Sequence, residues 1–315
     1  VASAMSDAIF TDWTDETTRA WATEPVCLKH RLHTDPMFSL EGLAELIDRY
    51  PREHYSLMQV GAPGERRTWR EGEIGKVSGD RVIESIAQGR MWLNLRRVSD
   101  VDKRFGALRE QLFGEIAERV PGFQAFSCTM GILISSPKAE VYYHMDLPGQ
   151  SLWQIRGKKR VYVYPAEPPF RCDEDLERIA LYQVEVDIPY ERSYDEHARV
   201  FEIEGGEMLH WPLNAPHRVE NLDCLNISMT TEYYTEPIRR SNMINFANGI
   251  LRNKLGITPR SRSISGPGFW AKAALQAGVK RSGLMKQARK ARRPIEFRLD
   301  AERPGQIQDI PVAAE

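Results

Sequence analysis

Between residues 123 and 233 the apolar side chains alternate in twos, and glycine or proline breaks the pattern every few residues. Runs of this kind read as strands at 123–134, 139–146, 151–157, 159–164, 181–187, 199–204, 207–211, 217–221 and 225–233. Pro148-Gly149, Gly157, Pro168-Pro169, Gly205-Gly206, Pro212 and Pro216 supply the turns. Many short strands at this spacing suggest a sandwich or a barrel. Ahead of them Ser39 is placed to cap a helix over about 40–50, with Leu40, Leu43, Leu46 and Ile47 on one stripe. Strands are expected at 55–60 and 91–95, a turn-rich stretch at 61–79 and a short helix around Val82–Ile86. Residues 100–120 carry Val101, Phe105, Leu108, Leu112 and Ile116 at helical spacing. Residues 1–37 read as irregular, and the helical period returns after Pro237 with helices expected at 239–255 and 268–291. The chain therefore divides into an arm (1–37), a β-rich domain with N-terminal helices (38–236) and a helical C-terminal region (237–315).

With 42% hydrophobic and 28% charged residues over 315 positions, the chain has the makeup of a folded domain with a sizeable core, and collagenous, low-complexity and disordered classes are excluded. The longest apolar strings resemble Gly131–Ile134, far short of a membrane helix, so no transmembrane segment is expected. The first residues lack the apolar stretch of a signal peptide, and Met5 reads as a native start. Four cysteines, at 27, 128, 172 and 224, form no Cys-x-x-Cys pair and read as free thiols in a reducing cytoplasm.

The chemistry concentrates at Val141-Tyr-Tyr-His144-Met-Asp146. Residues two apart on a strand share a face, so His144 and Asp146 can enter one site. A second histidine from another strand would complete a two-histidine, one-carboxylate set that leaves metal positions open. The spacing alone is weak evidence, since a hydrogen-bonded pair is the commoner use of such residues and His33-Thr34-Asp35 repeats it in an irregular stretch. Further on come Gln154-Ile-Arg-Gly-Lys-Lys-Arg160, then Gly206-Glu-Met-Leu-His-Trp-Pro212, then His217-Arg-Val-Glu-Asn221.

In that order and spacing these motifs resemble the JmjC-like, or cupin-like, iron(II)- and 2-oxoglutarate-dependent oxygenases, over about residues 124–234. The resemblance implies a mainly β fold with flanking helices: a double-stranded β-helix, or jelly-roll, core followed by the C-terminal helical region. It implies His144, Asp146 and His217 as the ligands of Fe(II) and the catalytic centre, with His210 as the rival for the distal position. Lys159, 13 residues beyond Asp146, takes the position that binds the distal carboxylate of 2-oxoglutarate. Strand alternation independently puts Lys159 on a face with Val161 and Val163, where a lone cation needs an anionic partner. Gln150 falls where some relatives place an amide near the co-substrate. The implied reaction uses O2, converts 2-oxoglutarate to succinate and hydroxylates a protein, a nucleic acid or a small molecule. A catalytically silent cupin-like module with a basic partner-binding region is the alternative, and a metal enzyme that uses the triad without 2-oxoglutarate is a third reading.

The formal net charge of −1 conceals an asymmetry: residues 237–295 hold 14 Lys+Arg and no acid, leaving 29 basic against 44 acidic residues elsewhere. Three readings stand for this region. It is a packing or homodimerisation unit whose charges face the acidic body, a strip for nucleic acid or another acidic partner, or an interfacial helix carrying Trp270. The segment between Pro165 and Gly205, rich in acids such as Asp173, Glu174, Asp175, Glu177, Glu185 and Asp187, reads equally as a solvated loop or as a substrate-facing insertion.

Overall fold

The computed structural model describes residues 8–61, 69–182, 188–283 and 294–311. The chain opens with a short helix α1 (Asp15–Ala20) and a strand β1 (Val26–Lys29) inside the stretch that reads as irregular. Helix α2 (Leu40–Asp48) starts where Ser39 accepts the Gly42 amide at 3.0 Å. Strands β2 (Tyr55–Gln59) and β3 (Arg70–Glu73), helix α3 (Gly79–Gln88) and strand β4 (Met91–Leu95) follow. Next come a single turn α4 (Val98–Val101) and the long helix α5 (Lys103–Arg119), which Asp102 caps. The strands of the central domain are β5 (Phe126–Ser135), β6 (Glu140–His144), β7 (Gly149–Arg156) and β8 (Lys158–Val163). Helix α6 (Asp173–Tyr182) separates these from β9 (Arg199–Glu204), β10 (Glu207–His210), β11 (His217–Asn221) and β12 (Asn226–Tyr234). Helices α7 (Glu236–Leu255) and α8 (Gly266–Ser282) and strands β13 (Ile295–Leu299) and β14 (Ile307–Asp309) complete the described chain.

Two sheets face one another. The larger has ten strands in the order β1-β10-β7-β12-β5-β4-β2-β3-β13-β14, and the smaller has four, β6-β11-β8-β9. Every pairing is antiparallel except β13 with β3. One face of the large sheet packs on α2, α3 and α5 through Leu43, Leu46, Ile86, Leu108 and Leu112, with Leu57, Leu93, Ile132, Trp153 and Met229 opposite. Its other face meets the small sheet across a second cluster that includes Leu152, Val161, Val163, Ile203, Leu209 and Val219. The β7–β8 hairpin turns at Gly157, whose φ is +81° and where a Cβ would lie 2.3 Å from the Leu225 carbonyl, so only glycine fits. This is the double-stranded β-helix the sequence pattern leads one to expect.

Two expectations change. Residues 181–182 end α6 and are not strand, because Leu176, Ile179 and Leu181 bury a helical stripe and the acids at 173–175 sit at the helix's positive end; 183–187 lie outside the described residues. The acids at 173–177 lie on α6 and not in a solvated loop. Glu177 is buried and takes Arg252 at 2.8 Å and Arg262 at 3.0 Å, while Glu174 and Asp173 lie 3.3 Å from the same two arginines. Part of the C-terminal basic charge thus faces the acidic body. Helix α8 is described to Ser282, and the remainder of the expected 268–291 helix, from 284, lies outside the described residues. Among the described residues no helix is long and apolar enough to cross a membrane.

Candidate metal centre

Strand β11 lies between β6 and β8, with His217 opposite His144 on one side and opposite Val163 on the other. The two histidine rings therefore meet across neighbouring strands, 4.1 Å between centroids. Asp146 is not on the strand as expected. The ladder stops at His144, and Asp146 sits in the loop that runs to Pro148 and β7. It nevertheless turns its carboxylate to the same point, with Oδ2 3.2 Å from His217 Nε2 and 3.9 Å from His144 Nε2. The ligand-type atoms of His144, Asp146 and His217 all lie within 4.8 Å of one another.

The hydrogen bonds around the cluster determine which nitrogen faces it. His144 Nδ1–H donates to the Tyr142 carbonyl at 2.7 Å, and His217 Nδ1–H donates to the Ala215 carbonyl at 3.1 Å. A carbonyl only accepts, so each ring carries its proton on Nδ1 and turns the Nε2 lone pair inward. Burial, and then the neighbouring His217, pushes the His144 pKa down to about 4, which keeps the ring neutral near pH 7. Burial alone would raise Asp146, but the adjacent His217 and His144 outweigh it and hold the carboxyl below its usual value. Asp146 Oδ2 is buried and makes no hydrogen bond of acceptable geometry. Two neutral imidazole lone pairs and an unsatisfied carboxylate oxygen, converging from one side, suit an octahedral divalent ion with three positions left open. His144 and Asp146 keep 13% and 16% of their side chains exposed, so the cluster is reachable.

Lys159 is 3% exposed and faces the space between the sheets with Val161 and Val163. It lies opposite Asn221, four positions along β8 from the residue opposite His217, or about 13 Å at 3.3 Å per residue. A lysine stem and a short dicarboxylate can share that distance. Among the described residues no carboxylate pairs with it, and burial pushes its pKa down to about 7. A lone buried ammonium without a counter-charge is costly, and an anionic ligand would relieve that cost. Gln150 lies on β7, on the face that carries Leu152 and Gln154, and its Oε1 is buried without a partner.

The other candidates are elsewhere. His210 is fully buried, stacks on Trp21 at 4.0 Å and donates from Nδ1 to the Gln150 carbonyl at 2.9 Å. His33 packs against the turn at Gly206 and bonds the His30 carbonyl, while Asp35 caps a single helical turn through the Met37 amide. Two residues that carry no sequence signal of their own touch the Asp146 loop. Asn214 donates to the Asp146 carbonyl at 2.6 Å and Asn242 to the Leu147 carbonyl at 3.2 Å. Asn214 could be read only as a turn residue between two prolines, and nothing in the helical stretch around Asn242 marks it.

No family model and no curated protein matches the chain. Among solved structures it is similar to Escherichia coli YcfD, with a TM-score of 0.51 and 17% identity over 92% of this chain and 75% of that one. It is also similar to the same protein, described as a ribosomal oxygenase, in complex with cobalt and succinic acid. A further complex holds cobalt and 2-oxoglutarate; both superpose with a TM-score of 0.50 at 18% identity, over 92% of this chain and 74% of YcfD. At such identities the likeness shows a common fold.

Proposed function

We propose that this chain is an Fe(II)- and 2-oxoglutarate-dependent oxygenase that hydroxylates its substrate. The observation that carries the reading is the convergence of His144, Asp146 and His217 within 4.8 Å, with both imidazoles locked to present Nε2 and Asp146 Oδ2 left unsatisfied. These three side chains would hold the iron. Lys159 would hold the far carboxylate of 2-oxoglutarate, replacing an uncompensated buried charge by an ion pair. Gln150, whose Oε1 is buried without a partner, would be the amide that meets the co-substrate. Bound iron would supply oxygen activation, coupled to decarboxylation of the co-substrate to succinate and insertion of one oxygen atom into a substrate C–H bond. The protein's own share is positional: strands β6 and β11 fix the two rings, and the apolar cluster around Val161 and Leu209 keeps water from the space behind them.

A protein substrate fits the likeness to a solved ribosomal oxygenase. Arg260 and Arg281 have no carboxylate partner among the described residues, and Trp270 is 63% exposed. These side chains would be available to an acidic partner, nucleic acid included, or to a second copy of the chain. Four free cysteines suit a reducing cytoplasm.

The test is succinate formation from 2-oxoglutarate under air, with and without added Fe(II). Wild-type protein is expected to turn over with iron, Asp146→Ala to be inactive, and Lys159→Ala to need far more 2-oxoglutarate. Succinate formation unaffected by Lys159→Ala would mean that a group other than Lys159 holds the far carboxylate of 2-oxoglutarate. A protein that binds iron yet forms no succinate under any condition would be a binding module.

A further inference from the structure

We infer that Asn214 and Asn242 are positioning residues that aim Asp146, and that metal affinity depends on their two side-chain amides. The inference rests on the reading of His144, Asp146 and His217 as a metal centre. Of the three, only Asp146 lies outside a strand: His217 opens β11 and His144 closes β6, where the ladder fixes their backbones. The loop from Met145 to Pro148 has no ladder partner, so its carbonyls must be satisfied by something else. Side chains supply this. The amide of Asn214 donates to the Asp146 carbonyl at 2.6 Å, and the amide of Asn242 donates to the Leu147 carbonyl at 3.2 Å.

The two donors come from different directions. Asn214 sits in the turn closed by the Ala215 amide on the Pro212 carbonyl, three residues before His217. It is 6% exposed and adopts a left-handed backbone, φ +59°, which asparagine tolerates better than most residues. One side chain therefore ties the segment that delivers His217 to the loop that delivers Asp146, and so sets the distance between two ligands. Asn242 reaches the next carbonyl from α7, across 95 residues of sequence, and docks the C-terminal region against the same loop. Rotation of the Asp146 peptide would break the Asn214 bond, and rotation of the next peptide would break the Asn242 bond.

The probe is cobalt(II), titrated into the full-length metal-free protein and followed by calorimetry and by its visible d–d bands. Asn214→Gly keeps the left-handed backbone and removes only the amide, and Asn242→Ala keeps the helix. Each is expected to weaken cobalt binding, by about tenfold to a hundredfold for Asn214→Gly, and to alter the d–d bands. Melting of the metal-free protein is expected to move little, while amide hydrogen exchange at Leu147 and Gly149 becomes faster. Wild-type cobalt affinity and spectrum in both variants would overturn the clamp and leave the metal centre standing. A wild-type protein that takes up no cobalt would overturn the metal centre and the clamp with it. If Asn214→Gly does not fold, Asn242→Ala decides by the same two readouts.

Discussion

Lys159 is a buried lysine with no carboxylate partner among the described residues. Its pKa is pushed down from 10.5 to about 7 by burial. Between those two values the unfolded chain holds a proton that the folded one has released, so stability rises as pH climbs through that window and the full cost is felt at pH 7 and below. Lys159→Met is therefore expected to raise the melting temperature of the free protein by several degrees at pH 7, with a smaller gain near pH 10, while 2-oxoglutarate binding is lost. A variant that melts lower than wild type at pH 7 would mean that the ammonium has a partner already. The same group gives a binding signature. An anionic carboxylate draws a proton onto Lys159, so 2-oxoglutarate affinity is expected to fall as pH rises above about 7. Calorimetry in buffers of different ionisation enthalpy would detect the proton uptake, and its absence would place the co-substrate elsewhere.

The elements show why some of the structure was legible in the sequence and some was not. Strands 199–204 and 217–221 match the expected bounds, and in 217–221 alternation with one face buried leaves no other register. Strands β1, β3, β13 and β14 were missed, and their sequences explain it. Arg70-Glu-Gly-Glu73 has no β-propensity, and becomes strand only because β2 and β13 offer hydrogen bonds on either side. The triad was legible through the ordered motifs that carry the family resemblance, the His-x-Asp spacing alone being weak, whereas the amides at the Asp146 loop arrive through tertiary folding from the turn at 212–215 and from α7. The α6–α7 contact carries its own expectations. Gly249 lies in the middle of α7, where alanine would favour the helix by up to about 1 kcal/mol. A Cβ there would meet the Glu177 carbonyl at 2.8 Å, a backbone atom that cannot move aside cheaply. Gly249→Ala is accordingly expected to destabilise the protein despite its propensity, which thermal or urea unfolding would read. Glu177→Ala leaves two arginines facing a buried gap and is expected to cost about 2 kcal/mol or more. The arginines are 27% and 31% exposed, which keeps the loss below that of a fully buried pair.

At the scale of the whole molecule, the charge asymmetry of the chain is partly internal, since Arg252 and Arg262 are spent on α6. Acid stability depends on a different set of groups. Burial pushes His30 and His210 down to about 4. The reason is visible at His30, whose Nδ1 accepts the Leu32 amide at 3.1 Å while Nε2 faces the Gln154 and Glu207 carbonyls, so a second proton has no acceptor. Between pH 6.5 and 4 the unfolded chain takes up protons that the folded one refuses, so stability is lost as pH falls through that range, on the order of a few kcal/mol for each ring. His210→Phe keeps the stack on Trp21 and removes the titration, and is expected to flatten the acid limb of a melting-temperature profile. An unchanged limb would assign the loss to other groups.

The central claim is that His144, Asp146 and His217 hold one iron that engages 2-oxoglutarate. It is tested most directly by an anaerobic titration of the metal-free protein with Fe(II) and then 2-oxoglutarate, followed by admission of oxygen and measurement of succinate. One iron per chain, a co-substrate-dependent absorption change and a burst of succinate stoichiometric with iron are expected, all absent from Asp146→Ala. Failure of the wild type to bind iron at neutral pH, or equal iron binding by Asp146→Ala, would contradict it.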